Sequence, residues 1–190
     1  MVKQPSSFEM LPKDAYIIKI MDVKTETNKD GKGQHLKIAF DIAEGEYKDF
    51  YKKQYDNNTN EDKKWSFDAV YRLNVPNDTT PEWMAQQFFT FLANVEESNK
   101  NYTFNGDETK LKGKVVGGLF YIEQSEYNGN IYDHTRLRWT RPADDVRNKK
   151  YGKLPKDKLI DGAKKTVALG GDSEKFMDIP AGVEEDSIPF

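Results

Sequence analysis

A chain of 190 residues with 36% hydrophobic, 13% aromatic and 32% charged side chains has material for one core with polar appendages, and two full domains are not expected. It holds no cysteine and only two histidines, His35 and His134, which rules out disulfides, thiol nucleophiles and cysteine-ligated metals and argues against a histidine-built zinc site. The net charge of −3 is segregated: Asp172 to Phe190 carry six acids and one base, a local −5, so the rest carries +2, and Ile131 to Thr166 carry eleven bases against five acids. A polyanion can therefore approach the body without being repelled by the whole. A Ser-His-Asp triad would need one of the two histidines, and neither is accompanied by a nucleophile-elbow or phosphate-binding glycine pattern. An enzyme, a metal or another cofactor is not expected. No window reaches the roughly 18 apolar residues of a membrane span and the amino terminus lacks a secretory pattern, so the expectation is a cytoplasmic protein with no membrane partner.

In chain order, the β-branched and apolar run from Ala15 to Glu26 reads as a first strand. Asn28 to Gly33 is a turn by composition, and Gln34 to Ala43 alternates, with Leu36, Ile38, Phe40 and Ile42 on the core side and His35, Lys37, Ala39 and Asp41 opposite. Glu46 to Tyr55 places Tyr47, Tyr51 and Tyr55 at one parity with Lys53, and Trp65 to Val75 alternates again. These read as two strands, or one interrupted, around an Asn-rich loop over Asp56 to Lys64. A helix is predicted to begin at Thr80 as cap with Pro81 next, to carry Met84, Phe88, Phe91, Leu92 and Val95 as its apolar stripe, and to end near Ser98. Leu111 to Glu123 is the next strand, with glycines marking bends. Tyr127 to Asn130 holds the Asn-Gly pair of a tight hairpin turn, and Ile131 to Thr140 returns, with Ile131, Leu137 and Trp139 on one face and Tyr132, His134, Arg136 and Arg138 on the other. Trp65 and Trp139 are assigned to the core. After Pro142 the hydrophobic density falls, and loose packing or disorder is expected.

This order, strands then helix then hairpin, is what an OB-fold requires: a β-rich five-stranded barrel with one helix between strands three and four. An α+β sandwich gives the same string. The expected division is a flexible N-terminus over 1–10, the barrel over 11–160, and a disordered acidic tail over 161–190. The runs Leu11 to Tyr16, Gly31 to Lys37, Leu111 to Gly117 and Leu154 to Lys158 together resemble the single-stranded DNA-binding proteins of phages and mobile elements of Gram-positive bacteria. That resemblance implies the fold and the ligand class. The tail, Glu184, Glu185 and Asp186 followed by Ser187 and terminal Ile188, Pro189 and Phe190, resembles the carboxyl terminus of bacterial single-stranded DNA-binding proteins. Phe190 joins an apolar ring to the terminal carboxylate, which suits an apolar pocket rimmed by bases, while Pro189 reduces the entropy lost on docking.

Single strands are held by cationic grooves and by rings on which bases stack. The residues offering both are His35, Lys37, Tyr47, Tyr51, Lys53, Tyr55 and Arg72, then Lys112 and Lys114, then Tyr132, His134, Arg136 and Arg138. The expected partners are single-stranded DNA and, through the tail, replication or recombination proteins; homo-oligomerisation is left open. Rival readings are a strand-annealing recombination protein, a protein-interaction adaptor and a small carboxylate hydrolase.

Overall fold

Five strands form one antiparallel sheet in the order β3-β2-β1-β4-β5 in a computed structural model that describes residues 9–160. They are β1 (Ala15–Thr27), β2 (Gln34–Ile42), β3 (Val70–Val75), β4 (Val115–Tyr127) and β5 (Asn130–Arg141). Three helices interrupt them: α1 (Phe50–Asn57) after β2, α2 (Glu82–Ser98) between β3 and β4, and α3 (Ala143–Arg147) after β5. The expected boundaries at 1–10 and 161–190 fall on or beyond the ends of the described residues.

The core follows the alternation of β2. Leu36, Ile38, Phe40 and Ile42 face inward and meet Ile18, Ile20 and Val23 of β1, Leu73 of β3 and Phe120 and Leu137 of the β4–β5 hairpin. One end is filled by α2, whose Phe88, Phe91, Leu92 and Val95 are buried. The other is filled by α1, whose Phe50 and Tyr51 join Phe40 in an edge-to-face cluster with centroids 5.2 to 6.0 Å apart.

The helix α1 corrects the strand expected over Glu46 to Tyr55. Tyr47, Tyr51 and Tyr55 are four apart, and four is a multiple of the strand period and close to one helical turn. Phe50, three after Tyr47, fits only the helix. A remote carboxylate completes the start: Asp41 on β2 accepts from the backbone amides of Tyr51 at 2.9 Å and Lys52 at 3.0 Å in the first turn.

Smaller corrections have similar local causes. The 65–75 segment is extended only from Val70, because Phe67–Ala69 form a 3-10 turn. The cap of α2 is Pro81, since the Thr80 hydroxyl is engaged with Asn77 at 2.8 to 3.0 Å. Leu111 closes a second 3-10 turn, so β4 begins at Val115. Residues 143–160 are anchored at a few points: Ala143 and Val146 of α3 are buried with Ile17 and Leu119 in a small apolar cluster on the far side of the sheet, and Lys158 pairs with Glu123 on the free edge of β4.

Two β-bulges decide which residues reach that far side, called here the outer face. In β1 the register shifts between Ile20 and Asp22, and in the β4–β5 ladder between Leu119 and Phe120, where Trp139 and Leu137 are the respective partners. Met21 and Arg138 are the extra residues, and each reverses the alternation that follows it. Trp139 is thereby 43% exposed rather than in the core, whereas Trp65, without a bulge beside it, is buried.

Candidate functional site

The bulge at Met21 turns Asp22, Lys24 and Glu26 outward, because their partners across the ladder are Ala39, Lys37 and His35, the outer side of β2. On the next strand Lys37 is paired with Arg72 and His35 with Asn74. Lys24, Lys37 and Arg72 therefore stand in one row across three neighbouring strands. Like charges in direct cross-strand register are destabilising, and here the middle one, Lys37, is only 6% exposed.

What holds the row is Glu26. One carboxylate oxygen lies 3.3 Å from Lys37 Nζ and the other 3.4 Å from His35 Nε2. Both separations exceed the 2.7–2.9 Å of a strong charge-assisted hydrogen bond. His35 donates from Nδ1 to Asn28 Oδ1 at 2.8 Å, and its buried Nε2 has no hydrogen-bond partner. Glu26, Asn28, Lys29, His35, Arg72 and Asn74 line an open groove that meets this row at Arg72. Lys112, in the turn before β4, reaches the same face, 3.7 Å from Asp22.

A second cluster occupies the outer face of β5. Tyr132, His134 and Arg136 pair with Ser125, Glu123 and Tyr121. Asp68, from the 3-10 turn that leads into β3, accepts from His134 Nδ1 at 3.1 Å and from Arg136 at 3.4 Å. The Arg136 guanidinium lies 4.0 Å from the centroid of the Phe67 ring, itself 46% exposed. The hydrogen bond to Asp68 holds the His134 pKa above its ordinary value, and burial opposes it. Ser125 Oγ lies 2.9 Å from His134 Nε2, so Ser125, His134 and Asp68 are connected as nucleophile, base and orienting acid are. Beyond the bulge, Arg138 and Trp139 are exposed.

The structure thus brings His35, Lys37, Arg72 and Lys112 to one face and Tyr132, His134, Arg136 and Arg138 to the neighbouring strand pair. It sets the others apart. Tyr51 is 2% exposed with its ring in the core, so it offers no face for stacking. Tyr47 packs on Tyr16 and Phe50, Tyr55 lies beside Trp65 under the Lys63 ammonium, and Lys53 donates to the Lys48 carbonyl at 2.7 Å. Lys114 lies in the turn before β4 over the Tyr102 ring. The tail residues Glu184, Glu185, Asp186, Ile188, Pro189 and Phe190 lie outside the described residues.

Sequence reasoning missed Lys24, Glu26 and Asp68. Strict alternation puts Lys24 and Glu26 on the side of Ile18 and Ile20, and nothing in the composition announces a bulge at Met21. It also missed Trp83, 62% exposed on the first turn of α2. The next residue, Met84, accepts from the Asn74 amide at 3.3 Å.

Among the described residues, no three His, Asp or Glu side chains are grouped so as to hold a metal ion, and no helix is long and apolar enough to cross a membrane. Compared with protein-family models and with curated protein sequences, the chain matches none.

Proposed function

We propose that this chain binds single-stranded DNA without sequence preference, on an OB-fold body, during phage or mobile-element replication or recombination in the host cytoplasm. Its acidic tail ending in Ile188, Pro189 and Phe190 recruits partner proteins. The observation that carries the reading is the row Lys24, Lys37 and Arg72, in cross-strand register on the outer face. Three cations in register repel one another, Glu26 offsets part of that repulsion, and a phosphodiester backbone, an anion with charges at similar spacing, would offset more. Exposed rings are present for stacking: Phe67, which lies under the Arg136 guanidinium, and Trp83 and Trp139. Stacking on such rings is worth about 1–3 kcal/mol per base and is tolerant of sequence.

Three features support the barrel. The strand order β3-β2-β1-β4-β5 leaves β3 and β5 as the edges, which an OB-fold brings together. The helix α2 falls between β3 and β4 in the chain. The Asp68 bonds to His134 and Arg136 then tie the start of β3 to β5 by side chains.

The test is a titration of labelled oligothymidylate at several salt concentrations, with duplex of the same length as competitor. The expected result is single-strand binding that weakens steeply with salt, and a Lys24→Ala variant with a log–log salt slope shallower by about 0.7. No binding at low salt, or equal affinity for duplex, removes the proposal.

A second reading, acyl transfer, is favoured by the Ser125–His134–Asp68 connection alone. Asp68 divides its charge between His134 and Arg136, and Ser125 stands exposed on a hairpin, which makes it the weaker reading. Covalent labelling of Ser125 by a fluorophosphonate probe, lost in Ser125→Ala, would support it.

A further inference from the structure

We infer that Glu26 is an internal stand-in for phosphate: its carboxylate occupies the seat over His35 and Lys37 that a strand phosphate takes on binding, so Glu26 sets the affinity of the groove. The inference rests on the single-strand reading above and adds a competitor to it.

Three observations converge on that seat. First, Glu26 is the one acid in a cross-strand layer otherwise made of His35 and Asn74, directly beside the layer of Lys24, Lys37 and Arg72. Its two oxygens are divided between two bases, as the oxygens of a bridging phosphate would be. Second, its contacts are loose. At 3.3 and 3.4 Å the carboxylate leaves a nearly buried ammonium without a short acceptor and the buried His35 Nε2 with no hydrogen bond at all. Buried polar atoms left so are costly, and such groups are either strain reservoirs or ligand contacts. A carboxylate tethered to its own strand cannot close on both bases at once, whereas a phosphate arriving from the groove is free to. Third, the seat is open on the ligand side, because Glu26, His35 and Arg72 all line the groove.

The exchange is a displacement. Phosphate pairs with Lys37 and Arg72 beside the His35 ring, and Glu26, 21% exposed while paired, swings to water. No bond is made or broken, and the work of moving Glu26 is subtracted from the affinity of every strand bound.

Glu26→Gln in the full chain tests this, with oligothymidylate as the probe and Glu97→Gln on the exposed side of α2 as a control of equal charge change. The expected result is a three- to tenfold tighter dissociation constant for Glu26→Gln at low salt, with the log–log salt slope unchanged, since displacement leaves the number of phosphates contacted the same with or without Glu26. Glu97→Gln should change affinity less than twofold. Unchanged or weaker binding by Glu26→Gln overturns the inference and makes Glu26 an organiser of the cations. An equal gain in Glu97→Gln also overturns it, as a net-charge effect. If the unsubstituted protein binds no single strand, the functional reading fails first, and that outcome is distinct from either.

Discussion

Asp41 shows how a single buried carboxylate can select a helix. It is 2% exposed and accepts three backbone amides, from Ile42 at 2.8 Å, Tyr51 at 2.9 Å and Lys52 at 3.0 Å. The last two belong to the first turn of α1, where orphan donors and the helix dipole favour a negative charge. Burial pushes its pKa up and the three amides pull it down; burial wins, leaving the carboxyl at about 6 against an ordinary 3.8. The sign of the consequence follows from proton binding. Between these values the folded state holds the proton more tightly than the unfolded chain, so this group's stabilising contribution is complete below about pH 3.8 and is lost as pH rises through about 6. The shift amounts to about 3 kcal/mol. Asp41→Asn removes that titration, and its amide nitrogen would face the Lys52 amide donor to donor. The stability of the unsubstituted protein relative to Asp41→Asn should therefore fall from pH 4 to pH 7 in urea denaturation. A rise over the same range would show that the amides outweigh burial.

At the scale of elements, α3 is seated by the absence of a side chain. A Cβ on Gly117 would lie 2.5 Å from Val146 Cγ2, 2.9 Å from the Arg141 carbonyl oxygen and 3.1 Å from that of Pro142. Gly117→Ala must then push α3 and the end of β5 off the sheet, at a cost of about 1–3 kcal/mol, read as a lower urea midpoint. Trimming the neighbour in Gly117→Ala/Val146→Ala should recover little, because two of the three close atoms are backbone. A full recovery would mean that only Val146 resists. This glycine was legible in the sequence as a bend, and its role against α3 was not, since three- and four-residue spacing cannot be read in a helix of five residues. The same holds for α1, where the tyrosines satisfied two periods and the deciding cap came from Asp41, nine residues before the helix begins. Strands β1, β2, β4 and β5 were legible because their alternation is long. Their faces were legible only up to each bulge, which is why Leu137 was placed in the core correctly and Trp139 was not.

For the molecule as a whole, side-chain contacts run between the segment that leads into β3 and strand β5. The backbone ladder ends at β3 and β5, and side chains take over: Asp68 holds His134 and Arg136, and Phe67 lies under the Arg136 guanidinium. Helix α2 adds a brace on each side, with Gln87 donating to the Tyr71 hydroxyl at 2.8 Å and Asn94 to the Thr140 hydroxyl at 3.0 Å. The cations on β5 were visible in the sequence as a basic strand face, but their acceptor was not, because Asp68 is more than sixty residues away. This seam titrates. The folded pKa of His134 is raised by its bond to Asp68, so its contribution is complete below the unfolded value of about 6.5 and is lost as pH rises through the folded one. His134→Gln keeps a donor without the charge. The stability advantage of the unsubstituted protein over this variant should be greatest near pH 5.5, about 1 kcal/mol for a hydrogen bond to a charged, half-buried group, and should shrink by pH 8.5. Protection factors, which correct hydrogen exchange for its intrinsic base catalysis, should fall at the amides of β3 and β5 over the same range and hold constant in β1 and β2. An advantage independent of pH, or a loss of protection spread evenly over the sheet, would show that Arg136 and α2 hold these contacts without His134. A seam that loosens at alkaline pH would also carry Phe67 and Arg136 away from their present positions, so single-strand affinity should fall with the same midpoint.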